Sequence, residues 1–189
     1  MPDGSDVGRA RTTTLLTLPN VITFGRLCVV PMAVWFVLEQ GLIEAFFLFV
    51  AAGLSDAVDG WLARRNGGGN SLGALLDPVA DKALLMSMYV TLAAVNELPD
   101  WLAILVVFRD LVIVGGVIVL SLQGMPVAIR PLYISKLNTA LQIVLIAVTL
   151  LLAGYGLHAY EAKQALIWAV GATTFGSGAA YVWRAAYGR

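Results

Sequence analysis

The stretch Ser55–Lys82, SDAVDGWLARRNGGGNSLGALLDPVADK, decides the reading of this chain. It sets four aspartates, Asp56, Asp59, Asp77 and Asp81, in strongly apolar surroundings. A carboxylate in such a setting is costly unless it is paired or bound to metal. Asp56 and Asp59 are three residues apart, and Asp77 and Asp81 four apart, so on helices each pair faces one way. Gly67, Gly68 and Gly69 stand between them and predict a turn that returns the second helix antiparallel beside the first. Two such faces bring four carboxylates to one point. Left alone, the carboxylates repel and some hold protons. A hard divalent ion, magnesium or manganese, removes the conflict because carboxylate oxygens are its preferred ligands. Four carboxylates suffice for two ions, and two ions about 4 Å apart suit in-line displacement at phosphorus.

Working outward, the rest of the chain is more apolar than a soluble domain allows. Of 189 residues, 59% are hydrophobic and 13% are charged, against about 25% charged in soluble domains. The composition predicts an all-α integral membrane protein. A spanning helix needs about 20 apolar residues, which leaves room for six helices and no separate soluble domain. Residues 1–17 form a predicted cytoplasmic N-terminal segment, and 18–189 one six-helix membrane domain. The apolar runs are Pro19–Leu38, Ile43–Leu62, Leu75–Val95, Trp101–Leu122, Ile134–Leu152 and Ala162–Trp183. Thr17 is placed to cap the first, with Pro19 tolerated in its first turn.

Charge orients the six runs. With an even number of spans, one side collects Arg9, Arg11, Arg64, Arg65, Arg130, Lys136, Arg184 and Arg189. The other collects Glu39, Glu44, Glu97, Asp100 and Glu161 against Lys163. The positive-inside rule puts both termini and the aspartate loop in the cytoplasm. Twelve basic residues balance twelve acidic ones, so no basic excess points to nucleic acid. The single cysteine, Cys28, excludes an internal disulfide framework and is expected to be a small packing residue. Ala172, Gly176 and Ala180, spaced by four, are expected to form a helix-packing stripe, and His158 is expected on the surface.

Three further cations lie in apolar sequence. Arg109 stands beside Asp110 in LVVFRDLVIV, Lys136 opens YISKLNTALQ, and Arg26 lies in the first run. Charges in membrane helices face the bundle interior. Two readings stay open: a structural ion pair between helices, or a phosphate-binding pocket for an acceptor next to the aspartates. Asp81 likewise has two readings, a general base beside the metal cluster or a further metal ligand and partner of Lys82.

The full spacing, D-x-x-D-G-x-x-A-R-x8-G-x3-D-x3-D over Asp56, Asp59, Gly60, Ala63, Arg64, Gly73, Asp77 and Asp81, resembles the signature of the CDP-alcohol phosphotransferases. Every fixed position is filled. The resemblance implies that Asp56, Asp59, Gly60, Ala63, Arg64, Gly73 and Asp77 hold the cytidine diphosphate donor. It also implies that the first three aspartates bind metal most directly and that Asp81 takes the proton of the acceptor hydroxyl. The small residues Gly60, Ala63 and Gly73 would then floor a nucleotide pocket.

Outside the signature, LLDPVADKALL, the RD of FRDLVIVGG, ISKLNTALQIVLIAVTL and the tail WAVGATTFGSGAAYVWRAAYGR are similar to the eukaryotic-type, CMP-forming cardiolipin synthases of that family. That likeness implies transfer of a phosphatidyl group from CDP-diacylglycerol to phosphatidylglycerol, and a homodimer among membrane lipids. The opening MPDGSDVGRARTTT resembles neither a secretory signal nor a transit peptide, so a bacterial inner membrane is expected ahead of a mitochondrial one. The alternative acceptor is glycerol 3-phosphate, as in phosphatidylglycerophosphate synthases. A divalent-cation transporter is the alternative of a different class; no inverted repeat supports it.

Overall fold

The computed structural model describes residues 18–65, 72–122, 133–157 and 159–187. They form six helices: α1 Leu18–Leu38, α2 Leu42–Arg65, α3 Leu72–Ala94, α4 Asp100–Leu122, α5 Tyr133–Gly154 and α6 Tyr160–Tyr187. Among the described residues there is no strand. Each helix overlaps one predicted apolar run. The ends differ where hydropathy and helicity part company: α2 continues past Leu62 to Arg65, and α3 starts at Leu72 rather than Leu75. Arginine and leucine are good helix formers, so the helix outlasts the apolar run.

Three helices end in one way. Gln40, Asn96 and Gly156 each have φ of 62°. Gly41 N–H then donates to the Phe36 carbonyl at 2.8 Å and Gln40 N–H to that of Val37 at 3.1 Å. The same double bond pattern joins Glu97 to Leu92 and Asn96 to Ala93, and again Leu157 to Leu152 and Gly156 to Ala153. These are Schellman closures, which satisfy the last carbonyls of α1, α3 and α5. Only Gly156 adopts this backbone without a Cβ penalty; Asn96 tolerates it and Gln40 carries strain. All three lie at the end of the bundle opposite the aspartate segment.

The tight turns make three antiparallel hairpins, α1–α2, α3–α4 and α5–α6. Between hairpins α1 packs on α3, α2 on α5 and α4 on α6, which closes a ring, and α3 also touches α5 across it. The expectation that α3 runs beside α2 is met differently. Over their described faces these helices do not pack on each other; α1 and α5 each lie against both. Every helix contributes to one core, through Val37, Phe49, Met88, Leu102, Leu145 and Val170.

Small residues allow the close crossings; of the predicted stripe Gly176 takes part, a Cβ there standing 3.5 Å from Ile134 of α5. A Cβ on Gly171 would lie 3.0 Å from the Trp101 ring, and Gly154 meets Ile43 more tightly still. In the predicted stripe Ala172 is exposed, while Gly176 and Ala180 are half-buried. The packed face of α6 is instead Val170, Gly171, Thr174 and Ser177. Cys28 is exposed on α1, not packed inside. The outer surface explains this, because it is apolar all round. Trp35, Phe47, Val90, Phe108, Val144 and Phe175, one from each helix, are exposed. A water-soluble bundle would carry polar residues on that face. Among the described residues, one helix segment, Ile134–Gly154, is long and apolar enough to cross a membrane, and Cys28–Leu38, Leu42–Ser55 and Lys82–Ala94 are shorter apolar stretches.

Candidate active site

Asp56, Asp59, Gly60, Ala63 and Arg64 occupy the last turns of α2, and Gly73, Asp77 and Asp81 the first turns of α3. Both aspartate pairs are therefore helical, and the spacing argument applies to each: i, i+3 on α2 and i, i+4 on α3. Residues 66–71 join the two helices. The side chains of these eight residues, and of Arg26 on α1, lie outside the described ones, and so does the expected convergence of the four carboxylates. His158 lies outside them too. The donor set itself, four carboxylates on two helix ends joined by a short connector, suits a hard divalent cation.

The described part of the site begins at Lys82, one residue past Asp81. Its Nζ lies 2.8 Å from Asp110 Oδ2 on α4. The sequence offered Asp81 as a partner of Lys82; the Asp81 side chain lies outside the described residues, and the described partner of Lys82 is on another helix.

Asp110 is 2% exposed and its other oxygen accepts from Arg109 Nη1. Arg109, itself 5% exposed, donates through Nη2 to Ser135 Oγ on α5 at 2.7 Å and through Nε to Ser177 Oγ on α6 at 3.1 Å. One guanidinium thus ties three helices, and through Asp110 and Lys82 it reaches the fourth. Both Arg109 and Asp110 face the interior, as charges in apolar helices must. Arg109 pairs with Asp110 on its own helix and reaches α5 and α6 through serines, and the ion pair between helices is Lys82–Asp110.

A second polar knot follows one turn deeper on α5. Asn138 Oδ1 accepts from Thr173 Oγ1 and Thr174 Oγ1 of α6, each at 2.8 Å. Asn138 and Gln142 are fully buried, and Tyr89 of α3 donates its hydroxyl to the Gln142 carbonyl at 3.3 Å. Lys136, between Ser135 and Asn138 in sequence, is exposed in the first turn of α5. The sequence reading passed over Ser135, Asn138, Thr174 and Ser177. Their signal was polar residues at helical spacing, 135, 138 and 142 on one helix and 174 and 177 on the next.

At the opposite end an open cleft of about 420 Å³ is lined by Glu97, Trp101, Tyr160 and Lys163 among others. Lys163 Nζ pairs with Glu97 Oε2 at 2.8 Å. It is separate from the aspartates by the length of the bundle.

Comparison with known proteins places this arrangement. Residues 16–176 match the profile of the CDP-alcohol phosphatidyltransferase family. The chain is 33% identical, over 93% of its length, to a Schizosaccharomyces pombe protein named cardiolipin synthase (CMP-forming) / mitochondrial hydrolase fusion protein, covering 32% of that protein. It is 30% identical to the cardiolipin synthase (CMP-forming) of Homo sapiens over 78% of this chain and 56% of the human one. It is also 33% identical to a probable phosphatidylglycerophosphate synthase of Mycobacterium tuberculosis, over 82% of this chain and 74% of that protein. The chain therefore spans about a third of the fission-yeast protein and little over half of the human one. A profile match across most of the sequence, including both aspartate pairs on α2 and α3, establishes that this chain belongs to the CDP-alcohol phosphatidyltransferase family.

Proposed function

We propose that this protein is a membrane-embedded CDP-alcohol phosphatidyltransferase, and that it makes cardiolipin and CMP from CDP-diacylglycerol and phosphatidylglycerol. The observation that carries the reading is the unbroken signature from Asp56 to Asp81, on the end of α2 and the start of α3. The apolar surface on all six helices supports six membrane spans. The basic residues at the aspartate end support a cytoplasmic site and cytoplasmic termini, with the bacterial inner membrane as the proposed location.

Asp56, Asp59, Asp77 and Asp81 would hold two divalent cations, which when bound neutralise the diphosphate and stabilise the leaving phosphate. Gly60, Ala63 and Gly73 present little side chain, so the cytidine diphosphate can approach helix backbone. An Asp81 carboxylate oxygen takes the proton from the free glycerol hydroxyl of the acceptor. The resulting oxygen attacks the phosphorus that bears diacylglycerol, its bond to the bridging oxygen breaks, and CMP departs. The acceptor phosphate is assigned to Lys136, exposed at the start of α5, and to Arg26. Arg109 uses three of its five N–H donors on Ser135, Ser177 and Asp110 and is buried, so its proposed contribution to that pocket is to hold the wall.

The likeness to a probable phosphatidylglycerophosphate synthase keeps a second acceptor, glycerol 3-phosphate, in play. The deciding experiment supplies purified protein with CDP-diacylglycerol and either acceptor and separates the products. Cardiolipin and CMP from phosphatidylglycerol are expected. Phosphatidylglycerophosphate alone would replace the acceptor, and no CMP from either acceptor would overturn the enzyme reading.

A further inference from the structure

Helix α3 carries two of the four aspartates, and whatever fixes its rotation and depth also aims them. Successive residues on a helix are about 100° apart and rise 1.5 Å. A constraint on Lys82 therefore sets the direction of Asp81 and, one turn back, of Asp77. Lys82 has such a constraint in Asp110, at 2.8 Å. A lysine stem is flexible, so the pair is only as exact as its other end, and that end is fixed. Asp110 is buried and shared with Arg109, which is anchored by Ser135 on α5 and Ser177 on α6. Arg109 Cγ also lies against Gly178, where a Cβ would stand 3.5 Å away. The chain of contacts ends on helices that carry none of the four aspartates.

We propose that Lys82 and Asp110 are positioning residues for the aspartate face of α3, locking that helix to α4, α5 and α6 through Arg109. The proposal rests on the metal-binding reading of the aspartates for its effect on metal, and on contacts alone for its effect on α3.

The test uses the full chain in lipid nanodiscs, with free Mn2+ read by electron paramagnetic resonance and amide hydrogen exchange followed over α3. Lys82→Gln should weaken Mn2+ binding roughly tenfold to a hundredfold, the range seen when residues that orient metal ligands are lost. It should also speed exchange at residues 72–85 before any metal is added. Lys82→Arg should restore both. Asp110→Asn, which also takes a partner from Arg109, should do at least as much, and the double variant should be no worse than Asp110→Asn alone, because the Lys82–Asp110 interaction is already gone. Additive losses overturn the proposal. So does a Lys82→Gln protein that melts lower yet keeps its Mn2+ affinity, since that is a fold contact and no more. If the unmodified protein takes up no Mn2+, the metal reading fails by itself, and exchange over 72–85 decides the positioning pair, unchanged exchange refuting it.

Discussion

Gly154 on α5 meets Ile43 on α2 so closely that a Cβ on the glycine would lie 2.7 Å from Ile43 Cγ1 and 3.1 Å from its backbone nitrogen. Part of what it would strike is main chain, which cannot swing aside. This crossing joins the first hairpin to the third, at the end of the bundle far from the aspartates. Gly154→Ala should therefore cost about 1–3 kcal/mol, the usual price of overpacking. Thermal unfolding in detergent should show a lower midpoint, with turnover per folded molecule unchanged. A midpoint equal to the unmodified protein's means that the helices are further apart than described here.

Activity should depend wholly on a divalent cation. Four carboxylates on two helix ends repel unless a cation lies among them. Excess chelator should stop CMP release, and magnesium or manganese should restore it. Full turnover in chelator removes the two-ion mechanism.

The four aspartates should not be equivalent. Asp56→Asn should lose Mn2+ and donor binding together. Asp81→Asn keeps the shape of the side chain but cannot accept the proton, so it should lower turnover more than donor affinity. Equal loss of metal by both variants would make metal binding the whole role of Asp81 and leave the base unassigned.

Lys136 is exposed at the start of α5 and is the proposed ligand of the acceptor phosphate. A hydrogen bond to a charged group is worth about 1.5–3 kcal/mol, so Lys136→Gln should raise the acceptor requirement roughly tenfold to a hundredfold. Donor binding should change little. A variant with wild-type acceptor dependence assigns the phosphate to another residue.

Arg109 should behave as framework. Arg109→Met removes contacts to Ser135 and Ser177 and one partner of Asp110. Breaking a buried ion pair costs about 3–5 kcal/mol, less where a second cation remains, as Lys82 does here. The variant should melt well below the unmodified protein. Arg109→Lys should recover little, because a point charge cannot span three partners. Unchanged melting with a raised acceptor requirement would instead mark Arg109 as a phosphate ligand.

The number of helices was legible because apolar runs and polar turns alternate without ambiguity. The aspartate spacing was legible because it is local, and α2 and α3 place both pairs in helix. The helix ends were less so: a Schellman closure is set by backbone conformation, and Gln40 gives no glycine to announce it. The packing face of α6 was misread because Ala172, Gly176 and Ala180 are small, yet the helix turns Thr174 and Ser177 inward, where Asn138 and Arg109 receive them. The partner of Lys82 was not readable at all. Asp110 stands 28 positions later in the chain, and only the third dimension brings it near.

The ring of three hairpins has a bearing on how the protein is made. Chains are synthesised from the N-terminal end, so the three hairpins emerge in order. The second hairpin carries Lys82, Arg109 and Asp110 together, so the aspartate has both its cations within one hairpin, which is complete in the chain before the third is made. The serines that complete Arg109 arrive only with α5 and α6. Each hairpin touches both others, so the last to emerge is the one that shuts the ring, and the arginine is finished at the moment of closure.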